Sequence, residues 1–96
     1  MIKYESGVLK ALDKGKVPDG IFIHLNNAFI AINKTKDLAL FDIKKLKVRR
    51  GGLRGSRKRN YYRLRKGKYR AIFFIESQDI FVIAIDKREE VYKQWE

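Results

Sequence analysis

The sequence predicts an α+β fold in which an N-terminal strand and two helices pack on a C-terminal three-stranded antiparallel meander. Apolar residues recur at helical spacing in residues 21–32, apolar and cationic residues alternate in residues 61–65, and two further apolar runs follow after short polar turns. The chain has 96 residues, which is room for one hydrophobic core. We therefore expect a single domain over residues 1–96.

The first elements are short. Residues 2–5 alternate apolar and polar side chains, which is typical of a strand with one buried face. Ser6 is then placed to cap a helix that we expect to stop near Gly15. One side of this helix would carry Val8, Leu9 and Leu12.

Residues 21–32 admit two structures. As a helix, they would place Phe22, Leu25, Phe29 and Ile32 on one face. As a hairpin, their Ile-rich arms would flank a turn at Asn26 and Asn27, and β-branched residues favour strands. The periodicity favours the helix, although the residues alone leave the hairpin open.

The second half is predicted to contain a crossing segment, a loop and the sheet. After a polar break at residues 34–37, an irregular segment would be tethered to the core by Leu40, Phe41, Ile43 and Leu46. Residues 49–60 hold three Gly and six basic residues, so we expect an exposed loop. Strands follow at residues 61–65, 68–75 and 80–85. The last two are apolar on both faces, which predicts a sheet covered by helices on one side and partly buried on the other.

The charge of the chain is strongly positive and unevenly distributed. The net charge is +12 and the pI is about 10.1. Fourteen of the 23 Lys and Arg residues lie in residues 44–70, which contain no Asp or Glu. Such a segment attracts polyanions, so the candidate partners are nucleic acid, an anionic membrane and an acidic protein.

Two absences narrow the function. The chain contains no Cys, which excludes disulfides, thiolate catalysis and Cys-ligated zinc. No apolar run approaches the roughly 20 residues of a membrane span, and the first residues lack the apolar core of a signal peptide. We expect a cytoplasmic protein with no membrane partner.

Two motifs in the second half match a known pattern. The first reads Tyr62-Arg63-Leu64-Arg65-x-Gly67-x-Tyr69-Arg70, and the second, after a hydrophobic strand, reads Arg88-x-x-x-Tyr92. This pattern resembles the RelE/ParE superfamily of toxins from bacterial and archaeal type II toxin-antitoxin pairs. The resemblance implies the order strand, two helices and three-stranded meander. It does not separate the RelE branch, which cuts messenger RNA on the ribosome, from the ParE branch, which poisons DNA gyrase.

The RelE branch is the one we favour, and the resemblance then implies roles for individual residues. In its reaction the 2′-hydroxyl of RNA attacks the neighbouring phosphate, without a metal or a small-molecule cofactor. By position, Arg70 would stabilise the transferring phosphate, and Arg88 would support it or protonate the leaving oxygen. Tyr92 would stack on a base or act as acid or base. Arg63 and Arg65 would bind flanking phosphates. The implied partners are a small acidic antitoxin, the ribosome and messenger RNA.

Two departures from the family pattern bear on this assignment. Many RNA-cleaving members carry a His just before the terminal Arg, where this chain has Lys87. The insertion at residues 49–59 is longer and more basic than usual, which favours a large RNA surface and makes Arg57, Lys58 and Arg59 candidates for RNA binding.

Simpler roles and other functions remain open at this point. Arg70 could pair with Glu76 or Glu90, the remaining Arg residues could form a solvated face, and Tyr92 could close the core. The acidic residues Asp86, Glu89 and Glu90 lack metal-site spacing, and His24 is expected to be a core or helix-surface residue. The alternative functions are a gyrase-inhibiting ParE-like toxin and a non-catalytic RNA-binding module.

Overall fold

The computed structural model describes residues 1–46 and 60–95, without the side chains of Tyr92, Gln94 and Trp95. Its elements in chain order are β1 (Ile2–Tyr4), α1 (Ser6–Asp13), α2 (Asp19–Thr35), β2 (Ile43–Lys45), β3 (Tyr62–Lys66), β4 (Tyr69–Glu76), β5 (Asp79–Lys87) and α3 (Arg88–Trp95). A 3-10 turn, Leu38–Leu40, precedes β2. No helix in this part of the chain is long and apolar enough to cross a membrane.

Helix α2 confirms the helical interpretation of residues 21–32 over the hairpin. It begins directly after Pro18, which is tolerated there because the first N–H groups of a helix have no intrahelical acceptor. It ends where Lys36 adopts a left-handed φ of 61°. Its buried residues are Leu25, Phe29 and Ile32, whose spacing is the predicted one.

Helix α1 begins where predicted, but its N-cap is a different residue. Ser6 is the first helical residue, the N-cap position is Glu5, and no side chain caps the helix. The reason lies in the preceding strand, because the Glu5 N–H donates to the carbonyl of Val82 at 3.0 Å and ends the strand pairing there. Val8 is buried, whereas Leu9 is 48% exposed. The predicted Ser6 cap is therefore wrong, and the predicted apolar side of α1 is only partly buried.

The sheet has five strands in the order β1-β5-β4-β3-β2. Strands β3, β4 and β5 form the predicted antiparallel meander, and β1 pairs with β5 in parallel. Strand β2 pairs with β3 and was not predicted, since residues 43–45 fall in a segment we expected to be irregular. The turn between β4 and β5 places Ser77 and Gln78 at positive φ, as two-residue hairpin turns require.

Both faces of the sheet are covered, as the apolar pattern of the last two strands predicts. One face carries the main core, where Phe29 of α2 packs on Phe73 of β4 with ring centroids 5.1 Å apart. The other face carries a smaller cluster of buried residues, namely Leu46, Tyr61, Ile72, Phe74 and Val91. Val91 belongs to α3, a helix that the sequence analysis did not predict. Helix α3 therefore covers part of the second face.

Candidate nucleic-acid interface

Four cationic side chains share the second face of the sheet. In the strand register Lys44 lies opposite Arg63, and Arg65 lies opposite Arg70. Arg63 also lies opposite Ile72, so it projects from the sheet face that carries the smaller cluster. Because side chains alternate along a strand, Lys44, Arg63, Arg65 and Arg70 all project from it. We call these four residues the basic face.

The basic face contains two pairs of like charges in directly opposite positions. Such pairs destabilise a sheet unless other groups compensate them, because their Cβ atoms lie only about 4.5–5.5 Å apart. The four side chains therefore have to be considered one at a time.

Arg70 is held by the turn that precedes its own strand. It is 6% exposed, and its Nη1 donates to the carbonyl oxygens of Gly67 at 2.8 Å and Tyr69 at 2.9 Å. A guanidinium group this deeply buried requires such acceptors, since removing its charge from water is costly. Arg70 thus fixes the β3–β4 turn and places a positive charge beside it.

Arg65 is held by an acidic residue of the segment before β2. Its Nε donates to the Oδ2 of Asp42, and its backbone N–H donates to the Asp42 carbonyl at 3.1 Å. Both side chains are roughly half exposed, at 55% and 47%. A surface pair of this kind contributes about 0–1 kcal/mol to stability. Its main effect is therefore to orient Arg65 and to neutralise part of its charge.

Arg63 and Lys44 lack comparable partners among the described residues. The Nε of Arg63 is buried and has no hydrogen-bond partner there. The Lys44 side chain is exposed and forms no ion pair with a described residue. This half of the basic face consists of two neighbouring cations without a described counter-ion.

Arg88 lies at the same end of the sheet as Arg70. It is the first residue of α3, is exposed, and donates its backbone N–H to the carbonyl of Lys68 at 2.9 Å. Lys68 and Gly67 belong to one turn, so the turn held by Arg70 also anchors the start of α3. Tyr92 follows Arg88 by four residues on α3.

The basic segment around Arg57, Lys58 and Arg59 lies outside the described residues. The described chain stops at Leu46 and resumes at Asn60, and the Leu46 N–H donates to the Tyr61 carbonyl at 2.8 Å.

Besides Asp42, which binds Arg65, the acidic residue Asp86 lies near this face. Asp86 of β5 lies opposite Arg70, and its Oδ1 accepts the backbone N–H of Lys87 at 2.8 Å. His24 is exposed on α2. Among the described residues, no three His, Cys, Asp or Glu side chains come together as a metal site would require. The cations of the basic face can bind anions.

Two groups with shifted pKa values lie elsewhere. Burial raises the pKa of Tyr4 to about 12, and its hydroxyl donates to Oδ1 of Asn26 at 2.6 Å in the main core. A hydrogen bond from the N-terminal ammonium, together with the nearby Lys3, lowers the pKa of Asp79 at the far end of β5. Neither group is placed to transfer a proton at the basic face.

The sequence analysis identified three of the four residues of the basic face and missed Lys44. Alternation along residues 61–65 predicted that Arg63 and Arg65 share a face, as the register shows. Lys44 was missed together with β2. The alternation of Asp42, Ile43 and Lys44 was the available signal, but it covers too few residues to identify a strand.

Comparison with known proteins gives structural matches only. No protein-family model and no curated protein matches the sequence. The structure is similar to that of the RelB-RelE antitoxin-toxin complex from Methanococcus jannaschii, with a TM-score of 0.65 and 23% sequence identity over 95% of each chain. It is also similar to the archaeal RelE-RelB complex from Pyrococcus horikoshii OT3, with a TM-score of 0.57 and 23% identity over 91% of this chain and 92% of that one.

These matches extend over nearly the whole chain and include both the helical layer and the sheet. They confirm the fold that the motifs in residues 62–70 and 88–92 predicted. The chain has the RelE-like toxin fold.

Proposed function

We propose that the chain is the toxin of a toxin-antitoxin pair and that it cuts messenger RNA on the ribosome. The observation that carries the proposal is the basic face, on which strands β2, β3 and β4 place four cations beside the turn that anchors Arg88. The RelE-like fold supports it, because both similar structures are complexes of RelE with RelB.

The reaction is transesterification within RNA. The 2′-oxygen attacks the adjacent phosphorus, the bond to the 5′-oxygen breaks, and a 2′,3′-cyclic phosphate and a 5′-hydroxyl result. A base must remove the 2′-proton, an acid must protonate the leaving oxygen, and cations must stabilise the charge on the phosphate. The described residues of the basic face supply the cations.

The geometry suggests how these roles are divided. Arg70 is a fixed positive charge whose orientation the Gly67 and Tyr69 carbonyls determine, so it needs no reorganisation when charge develops on a phosphate beside the turn. Arg88 is more exposed and approaches the leaving oxygen from α3. Tyr92 stacks on a base or transfers a proton. Arg63 and Arg65 bind the flanking phosphates.

Dependence on the ribosome follows from what the basic face lacks. It contains no His, and Lys87 stands where many RNA-cleaving toxins of this fold carry one. Positioning by ribosomal RNA would compensate for weak proton transfer, because orientation alone lowers barriers substantially. A net charge of +12 favours such a polyanionic surface, and ribosome binding places the protein in the cytoplasm.

The proposed second partner is a small acidic antitoxin. Such a protein would neutralise the basic face and stabilise a chain whose own charges repel one another. The RelB antitoxins in the two similar structures support this part of the proposal.

The test is primer-extension mapping of messenger RNA ends after the purified chain is added to a reconstituted translation reaction, with matched samples that lack ribosomes. We expect new ends only when ribosomes are present, and far fewer with Arg88→Ala. Exposed Lys45→Ala, on the opposite sheet face, is the control and should cut like the parent. If folded protein produces no new ends, the proposal fails, and a gyrase supercoiling assay then tests the ParE-like alternative.

A further inference from the structure

Lys44 and Arg63 form a pair that is unusual within the basic face. They are cross-strand neighbours at one edge of the sheet, where β2 is the last described strand. Two cations in directly opposite positions repel each other. The other pair in the face is compensated by protein groups, since Asp42 binds Arg65 and two backbone carbonyls bind Arg70.

The Arg63 side chain adds a second, independent observation. Its Nε is buried but has no hydrogen-bond partner among the described residues. A buried N–H donor normally has an acceptor, so an anion bound beside Arg63 would supply one that the described residues do not. One anion with several oxygen atoms can do two things here. It relieves the repulsion between Lys44 and Arg63, and it supplies an acceptor for Arg63 Nε.

We propose that Lys44 and Arg63 form a binding site for one RNA phosphodiester group, with Lys44 as a binding residue that the motifs did not reveal. The proposal rests on the proposed function in taking RNA as the source of the anion. A guanidinium group offers a planar array of donors and an ammonium offers a mobile point charge, and this combination suits a tetrahedral phosphate.

The position of the site gives it a role in substrate alignment. Arg63 lies two residues before Arg65 on β3, on the same face, so the strand spaces these side chains at about 6.6 Å. Adjacent phosphates of an extended RNA strand have a similar separation. A phosphate between Lys44 and Arg63 would therefore fix the strand one nucleotide from the phosphate that Arg65 contacts, and the site would position RNA without touching the reacting atoms.

The experiment measures binding of a short, fluorescein-labelled 2′-O-methyl oligouridylate, which cannot be cleaved, across a range of salt concentrations without ribosomes. Lys44→Gln should weaken binding roughly fivefold and reduce the slope of log K against log salt by up to about 0.7, the contribution of one phosphate in a single strand. Lys45→Gln is the matched control, because Lys45 is the next residue, is also exposed, and lies opposite Tyr62 on the other face. It should change neither quantity.

A double-mutant cycle tests whether the two residues bind the same phosphate. Arg63→Gln combined with Lys44→Gln should weaken binding less than the product of the single effects, because either substitution already disrupts the site. If the two single losses of RNA affinity multiplied in the double variant, the single-phosphate site would be overturned. Equal losses of RNA affinity for Lys44→Gln and Lys45→Gln would overturn it as well.

Two further outcomes bear on the proposal separately from cleavage. In low salt without RNA, Lys44→Gln should raise the Tm more than Lys45→Gln does, since only the first removes the repulsion from Arg63. If Lys44→Gln left RNA binding unchanged but weakened binding of a polyglutamate peptide, the site would belong to an acidic protein and the proposal would fail. Failure of ribosome-dependent cleavage would leave these binding results intact.

Discussion

Substitution of Arg70 tests whether a buried cation stabilises the β3–β4 turn. We consider Arg70→Met, which keeps an unbranched side chain of similar length but removes the charge and the donors. The substitution breaks hydrogen bonds from Nη1 to the carbonyls of Gly67 and Tyr69. Hydrogen bonds from a charged group contribute about 1.5–3 kcal/mol each, so these two together account for at most about 6 kcal/mol.

The net effect should be smaller than this sum. Gly67 is exposed, so water can replace one of the lost donors, and the charge of Arg65 directly opposite no longer repels a second cation. We therefore expect the free energy of unfolding to fall by about 2–4 kcal/mol. With a urea m value of about 2 kcal/mol/M, the middle of the range for small proteins, the unfolding midpoint should fall by about 1–2 M.

The assay is equilibrium unfolding in urea followed by far-UV circular dichroism. Arg65→Met is the matched control, because it removes a cation from the same face while breaking only an exposed ion pair with Asp42, and it should change stability by less than about 1 kcal/mol. The reasoning is refuted if Arg70→Met unfolds at the midpoint of the parent, or if the two variants lose the same stability. Loss of cleavage by an Arg70 variant is informative about catalysis only after this measurement shows that the variant is folded.

The remaining predictions concern pH and two glycines. The pKa of Tyr4 is raised to about 12 in the folded state, from the ordinary value of 10.0, so its contribution is complete below pH 10 and is lost as the pH rises towards 12. Tyr4→Phe should therefore make alkaline unfolding less steep between these pH values, and an unchanged alkaline limb would contradict the assignment. Gly67 has a φ of 57°, so Gly67→Ala should destabilise the turn by about 1 kcal/mol. Gly7 lies in the first turn of α1 with open space around it, so Gly7→Ala should stabilise the protein by about 0.5–1 kcal/mol. Chemical denaturation of both variants measures this contrast, and equal effects on stability would refute it.

Much of the fold could be predicted because its longest elements have strong patterns. Helix α2 carries four apolar residues at helical spacing, and strands β4 and β5 are continuous apolar runs separated by a polar turn. The register of the sheet could not be predicted in the same way. Whether β1 joins the sheet, and on which side, depends on contacts between residues almost eighty positions apart, such as Ile2 with Ile80.

The two missed elements share a physical reason. Strand β2 has three residues, two of which are Lys, so it is stabilised by pairing with β3 rather than by its own composition. Helix α3 follows β5 without a Gly, a Pro or a polar turn, and only Val91 among its described side chains is buried. Local sequence signals are weak wherever tertiary contacts determine the structure.

The same distinction explains which parts of the candidate site could be predicted. Alternation places Arg63 and Arg65 on one face, and this property belongs to a single strand. The partners of those residues belong to other elements. Asp42 binds Arg65 across 23 positions in the chain, and Lys44 reaches Arg63 only because β2 pairs with β3. A sequence motif can therefore identify cations, but only the fold shows which of them already have partners.

The hydrogen-bond and ion-pair partners of these cations affect both the stability of the free chain and the molecules that it binds. Where protein groups compensate a cation, as at Arg65 and Arg70, the fold does not need an external anion. At Lys44 and Arg63, for which the described residues supply no counter-ion, repulsion lowers the stability of the free chain, and an anion bound there restores it. A partner present at about a thousand times its Kd adds about 4.1 kcal/mol of stability. If an acidic antitoxin and RNA both draw on this face, they must compete for it, because one pair of cations cannot be neutralised twice. Neutralising the toxin and stabilising its fold would then be two effects of the same contacts.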